Sequence, residues 1–139
     1  MLFRSLNWMR DQKMRSYEMT EIHHRGMDVV LNESFKTLTE GTEGVFLSVD
    51  IDVVDPGMAP GTGTPEPGGM TSRELIEAVR RICTELPIVG VDIVEVSPAY
   101  DHADITSLLA NRIVLEVLSS IALRKKGGKY QPTRNLLDR

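Results

Sequence analysis

The chain has 139 residues, enough for one domain and short for two. With 41% hydrophobic and 26% charged residues it has the composition of an ordinary globular protein, which excludes a disordered, collagen-like or disulfide-rich chain. The formal charge is −4, and residues 124–139 are basic, so the remainder is strongly acidic and we expect neither a nucleic-acid nor an anionic-membrane partner.

The sequence also predicts a compartment. It shows no apolar run of about 20 residues, so we expect a soluble protein. The single cysteine, Cys83, falls in an apolar helical pattern and cannot form an internal disulfide. Both features favour the cytoplasm, and the basic stretch 1–17 leaves a mitochondrial location open.

The first half of the chain predicts a short strand, a long helix and a buried strand. Residues 14–18 read as the strand, and Thr20 as the N-cap of helical sequence that runs to Glu40 with a bend at Gly26. At 45–51 the run VFLSVDI is apolar on both alternating faces, as in a strand covered on both sides. The loop that follows, 52–69, is too rich in proline and glycine for regular structure.

The second half alternates helix and strand. Thr71 and Glu74 form a capping box that begins a helix ending near Glu85, and IVGVDIVEV at 88–96 repeats the buried-strand pattern. Asp104 is expected to cap the next helix, whose predicted core stripe contains Leu108, Leu109, Ile113, Val117 and Ile121. We therefore expect a layered α/β domain with a mainly parallel sheet at 1–123, followed by a basic, flexible tail at 124–139.

Two carboxylates lie where the first central strand ends. Alternation places Asp50 and Asp52 on one face of the strand, about 7 Å apart along it, so both reach one centre beyond its end. Hard oxygen ligands suit magnesium, calcium or manganese, and paired carboxylates often assemble a two-metal site. A surface or capping role is the alternative for such an isolated pair.

The second strand carries Asp92 and Glu95. Residues three apart on a strand face opposite sides, so these two acids do not serve one site, and Glu95 lies nearer the carboxyl end. A carboxylate beside a metal centre suits the cationic end of a substrate, because guanidinium geometry matches a carboxylate bidentately. A salt bridge to a neighbouring helix is the alternative.

Two runs of sequence resemble the manganese-dependent ureohydrolase family: SVDIDVVDPGMAPGTGTPEPGG and VGVDIVEVSPAYD. The sequence of the loop at 59–66 is most similar to the agmatinase branch of the family. The resemblance extends from about Lys13 to about Leu123. It implies a three-layer, arginase-like fold and two Mn²⁺ ions held in part by Asp50 and Asp52. It further implies that Glu95 faces the guanidinium of a small substrate and that Thr64 lines the substrate pocket.

The resemblance covers only the carboxyl-terminal half of such an enzyme, so the predicted fold is incomplete. Family members carry four further ligands upstream, a histidine and an Asp-Ala-His-x-Asp motif, which this sequence does not supply. We expect His102 to edge the pocket at most, and His23 and His24 to be solvated side chains that point apart.

Two functions follow as hypotheses. The first is hydrolysis of an agmatine-like guanidino compound to urea and an amine, as the carboxyl-terminal part of a homo-oligomeric enzyme. The second is a non-catalytic, truncated α/β module that binds a partner or self-associates because the upstream metal ligands are absent. Guanidinobutyrate and related guanidino acids remain open as substrates. Arginine is less favoured, because the sequence of the loop is more similar to agmatinase-like members of the family.

Overall fold

The computed structural model describes residues 2–132. Helices and strands follow one another in the order α1 (Leu2–Asp11), α2 (Met19–Arg25), α3 (Met27–Thr39), β1 (Val45–Asp50), α4 (Ser72–Glu85), β2 (Ile88–Val94) and α5 (Ile105–Lys125). The alternation of strand and helix from β1 onwards confirms the α/β class.

The two strands pair in parallel, as the sequence predicts. In the register Phe46 lies opposite Gly90 and Asp50 opposite Val94, after an irregularity between Val45 and Phe46. Parallel strands end at the same edge of a sheet, so this register places the residues that follow β1 beside those that follow β2. Asp50, which ends β1, and Glu95, which follows β2, therefore lie at the same edge of the sheet.

The sheet is covered on one face only, which differs from the expectation for β1. Val45 and Val49 are buried in the core, whereas Phe46 is 61% exposed and Ser48 and Asp50 also face outwards. The expectation rested on apolar residues at alternating positions on both faces, and within residues 2–132 helices pack against only one of them. The open face thus presents apolar side chains to solvent.

The core lies between the covered face of the sheet and helices α4 and α5. The capping box that begins α4 is confirmed: the Thr71 hydroxyl accepts from the Glu74 backbone N–H, and the Glu74 carboxylate accepts from the Thr71 N–H. Cys83 on α4 is fully buried, and this burial raises the pKa of its thiol to about 11. A thiol in that state is an unreactive core side chain, as the sequence predicts.

Ion pairs that each include one buried residue connect the helices. Glu116 of α5 is buried and accepts two hydrogen bonds from Arg80 of α4, at 2.6 and 2.8 Å. Arg81 of α4 reaches Asp28 at the start of α3 at 2.9 Å. These charge-assisted contacts connect α4 to both α3 and α5.

The amino end of α5 is held by Asp101, and the prediction that Asp104 caps it was wrong. Asp104 adopts a left-handed conformation (φ +57°) and makes no capping hydrogen bond with its side chain. The Asp101 carboxylate instead accepts from the backbone N–H groups of Thr106 and Ser107, at 2.9 and 2.8 Å. Burial alone would raise the pKa of Asp101, but these donors lower it to about 2.

The core stripe of α5 was predicted correctly except at its first position. Leu109, Ile113 and Val117 are buried, whereas Leu108 is 62% exposed. Leu108 and Leu109 are about 100° apart around the helix, and the side of α5 that faces the core includes Leu109 and not Leu108.

The helix α5 is also long and apolar enough, by length and composition alone, to cross a membrane, which the count of apolar residues in the sequence missed. Glu116 of this helix is buried and paired with Arg80, which favours a helix that packs in the core of a globular domain.

The amino-terminal prediction was correct from Gly26 to Glu40, the C-cap of α3, and wrong before Gly26. Gly26 has φ +86° and separates α2 from α3, a conformation that glycine adopts without steric cost. Residues 14–18 form no strand, since no partner strand pairs with them. The first of these helices begins at Met19, after Glu18, so Thr20 lies inside it and is not its cap.

The boundary expected at residue 124 lies inside α5, which continues to Lys125. Beyond the helix, the chain returns over α4, where the Tyr130 hydroxyl donates to Glu77 at 3.1 Å. Residues 133–139 lie outside the described residues, so the prediction of a flexible tail stays a prediction there.

Candidate functional site

Asp50 and Asp52 lie together at the carboxyl end of β1, but not by strand alternation. The strand ends at Asp50 and the chain tightens into a 3-10 turn at Ile51–Val53. The Asp52 backbone N–H points at Oδ1 of Asp50, 3.5 Å from the nitrogen. The turn therefore brings the two carboxyl groups side by side through local backbone curvature.

The proximity of these carboxylates has an electrostatic consequence. Partial burial and the neighbouring Asp52 raise the pKa of Asp50, and the charge of Glu95 contributes in the same direction. Asp92, on β2, is not among the causes. Three negative charges thus interact at one edge of the sheet, a cluster that a cation or a cationic ligand would stabilise.

The loop after the acidic pair is closed at its base. Asp55 donates its N–H to the Met70 carbonyl at 2.9 Å, and Met70 donates to the Val53 carbonyl at 2.8 Å. The Asp55 side chain then accepts from Gly57 and Gly68, both at 2.9 Å. Those backbone donors hold the pKa of Asp55 below its usual range. The segment 55–70 is therefore a fixed loop whose two ends meet just after the 3-10 turn that follows β1.

The middle of the loop is attached to the segment that leads into α5. Gly61 donates its N–H to the Thr106 hydroxyl at 2.7 Å, and its carbonyl accepts from the Ser97 N–H at 2.8 Å. A Cβ at Gly61 would lie 2.7 Å from Cβ of Asp101, so only glycine permits this approach. The loop is thus held over the carboxyl end of the sheet from both strands.

Thr64 and Glu95 complete the site. The Thr64 hydroxyl donates to Oδ2 of Asp52 at 2.6 Å, across twelve residues of sequence. Oε2 of Glu95 lies 3.9 Å from the position that a Cβ would take at Gly63. The structure therefore brings together all four residues named from the sequence.

Glu95 has an unusual backbone. Its φ is +62°, in the left-handed region, which costs a non-glycine residue roughly 1–2 kcal/mol. β2 ends at Val94, so this turn carries Glu95 out of the strand and over the sheet edge, whereas Asp92 stays on the open face. Strained residues of this kind concentrate at functional sites, because surrounding structure must impose them.

The histidines do not join the acidic cluster. His23, His24 and His102 are exposed, and the rings of the adjacent pair meet edge to face with centroids 5.6 Å apart. Among the residues that the structure describes, no group of three or more His, Cys, Asp or Glu side chains is arranged to hold a metal ion. Asp50 and Asp52 are thus at most part of a metal-binding set.

Sequence reasoning missed two anchoring acids, Asp55 and Asp101. For Asp55 the signal was present, since Asp-Pro-Gly is a turn sequence in which aspartate side chains accept from backbone two residues on. For Asp101 it was not, because two aspartates lie three residues apart before α5. The hydrogen bonds of Asp101 to Thr106 and Ser107, and the left-handed backbone of Asp104, distinguish between them.

These features define a layered α/β domain with an acidic site at the carboxyl ends of parallel strands. Residues 3–119 match the Arginase family, and the chain belongs to that family. Two curated relatives are proclavaminate amidinohydrolase of Streptomyces clavuligerus, 56% identical over 59% of this chain, and an agmatinase of Chromobacterium violaceum, 40% identical over 77%. The structure of formimidoylglutamase from Bacillus subtilis superposes with a TM-score of 0.80, at 33% identity over 84% of this chain.

The chain matches only part of each relative. It spans 26% of the proclavaminate amidinohydrolase, 32% of the agmatinase and 36% of the formimidoylglutamase chain. The family membership and the arginase-like fold predicted from the two sequence motifs are therefore confirmed for this portion of the domain.

Proposed function

We propose that this chain forms the carboxyl-terminal part of a manganese-dependent amidinohydrolase that converts an agmatine-like guanidino compound to urea and an amine. The observation that supports the proposal most directly is the pairing of Asp50 and Asp52 at the sheet edge, beside Glu95, in a chain of the Arginase family. In this proposal, the complete enzyme consists of this chain together with the upstream part of the domain.

The donor set fits a hard divalent cation. Asp50 and Asp52 offer oxygen ligands only. Burial and the neighbouring Asp52 raise the pKa of Asp50, and a cation placed between the two carboxylates would favour their charged forms. When bound, the metal pair supplies a nucleophile from water near neutral pH by lowering that water's pKa. Two divalent ions carry four positive charges and these acids two negative ones, so upstream residues must complete the set.

Glu95 suits the role of holding the substrate cation. Its carboxylate lies beyond the strand, exposed, next to the loop and within electrostatic reach of Asp50. A carboxylate accepts two parallel N–H bonds from a planar guanidinium, which would fix the guanidinium carbon relative to the nucleophile. The remote end of the substrate is left to residues outside this chain, so the choice between agmatine and guanidino acids rests on the resemblance alone.

The metal assignment is tested by substitution in the complete enzyme. Asp50→Asn and Asp52→Asn are each expected to weaken Mn²⁺ binding at least about tenfold, because each replaces an anionic ligand with a neutral one. Metal analysis after dialysis measures the effect, with Asp92→Asn as the control for loss of one acid from the same sheet. Unchanged metal content in both variants would show that Asp50 and Asp52 are not metal ligands and have a surface or capping role instead.

The alternative function, a module that binds a partner, is favoured by the open face of the sheet. Phe46 is 61% exposed there, and Leu118 on the outer side of α5 is 63% exposed. Apolar surface of this kind drives association with another copy or with the upstream part of the domain.

For the 139-residue chain by itself, we expect self-association and no urea release from agmatine with Mn²⁺ present. Sizing chromatography and a urea assay on the purified chain measure both, and Leu118→Lys is expected to reduce the associated fraction, whereas Arg73→Lys on the exposed side of α4 is not. A monomer that hydrolyses agmatine would contradict this proposal and would place further ligands among His23, His24 and His102.

A further inference from the structure

The hydrogen bond between Thr64 and Asp52 has the geometry of a strong, charge-assisted contact. At 2.6 Å between Oγ1 and Oδ2 it falls in the range of O–H to carboxylate bonds. Within residues 2–132 it is the only hydrogen bond that the Asp52 side chain accepts. The bond engages Oδ2, so the lone pairs of Oδ1 remain for a cation.

Thr64 is presented from a loop that is fixed without it. The base of the loop is closed by Asp55, through Gly57, Gly68 and the paired backbone of Met70, and its middle is attached at Gly61. None of these contacts involves Thr64 or Asp52. The hydroxyl is therefore a donor held in place by the scaffold, and Asp52 is the side chain whose orientation it can determine.

Asp52 needs such a partner. It lies in a single 3-10 turn and is half-buried, beside the like charge of Asp50, which by itself would push the two carboxylates apart. A carboxylate that is free to rotate loses conformational entropy when it binds a cation. A carboxylate that a neighbouring donor already holds in place does not incur this cost.

We propose that Thr64 is a positioning residue whose hydroxyl holds the Asp52 carboxylate beside Asp50, so that the loop 55–70 and the acidic pair form one preorganised unit. This role differs from the substrate contact that the family resemblance implies for Thr64. The link between this positioning role and metal binding rests on the proposed function. The orientation of the Asp52 carboxylate itself is a property of the chain without metal.

The loop contains a matched control two residues away. Thr62 is 3% exposed and its hydroxyl has no hydrogen-bond partner in the described structure. Thr62→Val therefore makes the same chemical change as Thr64→Val without removing a hydrogen bond, and we expect it to retain the parent fold. Thr64→Ser keeps the hydroxyl and serves as the conservative rescue.

The test measures the χ1 angle of Asp52 by NMR three-bond couplings in the isotopically labelled 139-residue chain. We expect one staggered rotamer in the parent, in Thr64→Ser and in Thr62→Val, and rotamer averaging in Thr64→Val. A single unchanged rotamer in Thr64→Val, or averaging already in the parent, would overturn the proposal. A merely structural role of Thr64 would alter the amide signals of the loop and leave the Asp52 rotamer unchanged.

A second measurement separates this inference from the proposed function. Mn²⁺ is added to the same samples, and the paramagnetic broadening of Asp50 and Asp52 signals is followed. We expect Thr64→Val to require about tenfold more Mn²⁺ than the parent or Thr62→Val for the same broadening. If no sample shows selective broadening, the two acids do not bind Mn²⁺ without the upstream ligands and the expected effect of Thr64 on metal binding fails in this chain, while the rotamer result still decides the role of Thr64.

Discussion

Glu95→Gln in the complete enzyme is expected to lower kcat/KM for a guanidino substrate by roughly 30- to 1,000-fold, which corresponds to about 2–4 kcal/mol. Glutamine keeps the shape of the side chain but replaces one acceptor oxygen with a donor and removes the charge. The charge-assisted, bidentate pair with the guanidinium is therefore lost. Urea release at several substrate concentrations measures the change.

Two controls make the Glu95 result specific. Mn²⁺ content should hardly change, since Glu95 is assigned to the substrate. Glu43→Gln removes the same charge from the opposite end of β1 and should leave kcat/KM near the parent value. Hydrolysis by the Glu95→Gln enzyme at the parent rate would show that this carboxylate does not hold the guanidinium.

The strained backbone at Glu95 allows function and stability to be separated. Because φ is +62°, Glu95→Gly relieves the steric cost of the left-handed conformation and is expected to leave the free energy of unfolding at or above the parent value. The same change removes the carboxylate and should lower activity at least as much as glutamine does. A residue that opposes stability in this way is retained for the position of its side chain.

Local sequence patterns predicted the parts of the fold that local interactions determine. The positions of the two strands and the capping box of α4 were correct because apolar runs and the Thr71–Glu74 pair act within a few residues. The strand expected at 14–18 was wrong because no strand within residues 2–132 pairs with it. The cap of α5 was wrong because Asp104, at the N-cap position, has a left-handed backbone and makes no side-chain capping bond, whereas Asp101 accepts from Thr106 and Ser107.

The candidate site shows the same division between local and distant contacts. Adjacency of Asp50 and Asp52 was predicted, yet it arises from a 3-10 turn, a tightening that strand alternation cannot anticipate. The hydrogen bond from Thr64 to Asp52 depends on the closed loop base at Asp55 and Met70. No spacing rule connects residues twelve apart in an irregular loop, so this contact required the structure.

The largest effect on stability is expected on the inner side of α5. Ile113 is fully buried between α4 and the sheet, and Ile113→Ala should lower the free energy of unfolding by about 2–5 kcal/mol, because a cavity remains where the side chain was. Leu118→Ala, on the same helix but 63% exposed, should change it by only about 0.5 kcal/mol in the 139-residue chain. Denaturant unfolding monitored by circular dichroism measures both.

Repeating the pair of substitutions in the complete enzyme identifies what covers the outer side of α5. If the upstream part of the domain packs there, Leu118→Ala should become destabilising by a further 1–3 kcal/mol or so, the value of burying a leucine side chain, while the effect of Ile113→Ala stays the same. Equal effects of the two substitutions in the 139-residue chain would contradict the assignment of the core to the inner side. An effect of Leu118→Ala that stays small in both proteins would show that the upstream part leaves this side of α5 exposed.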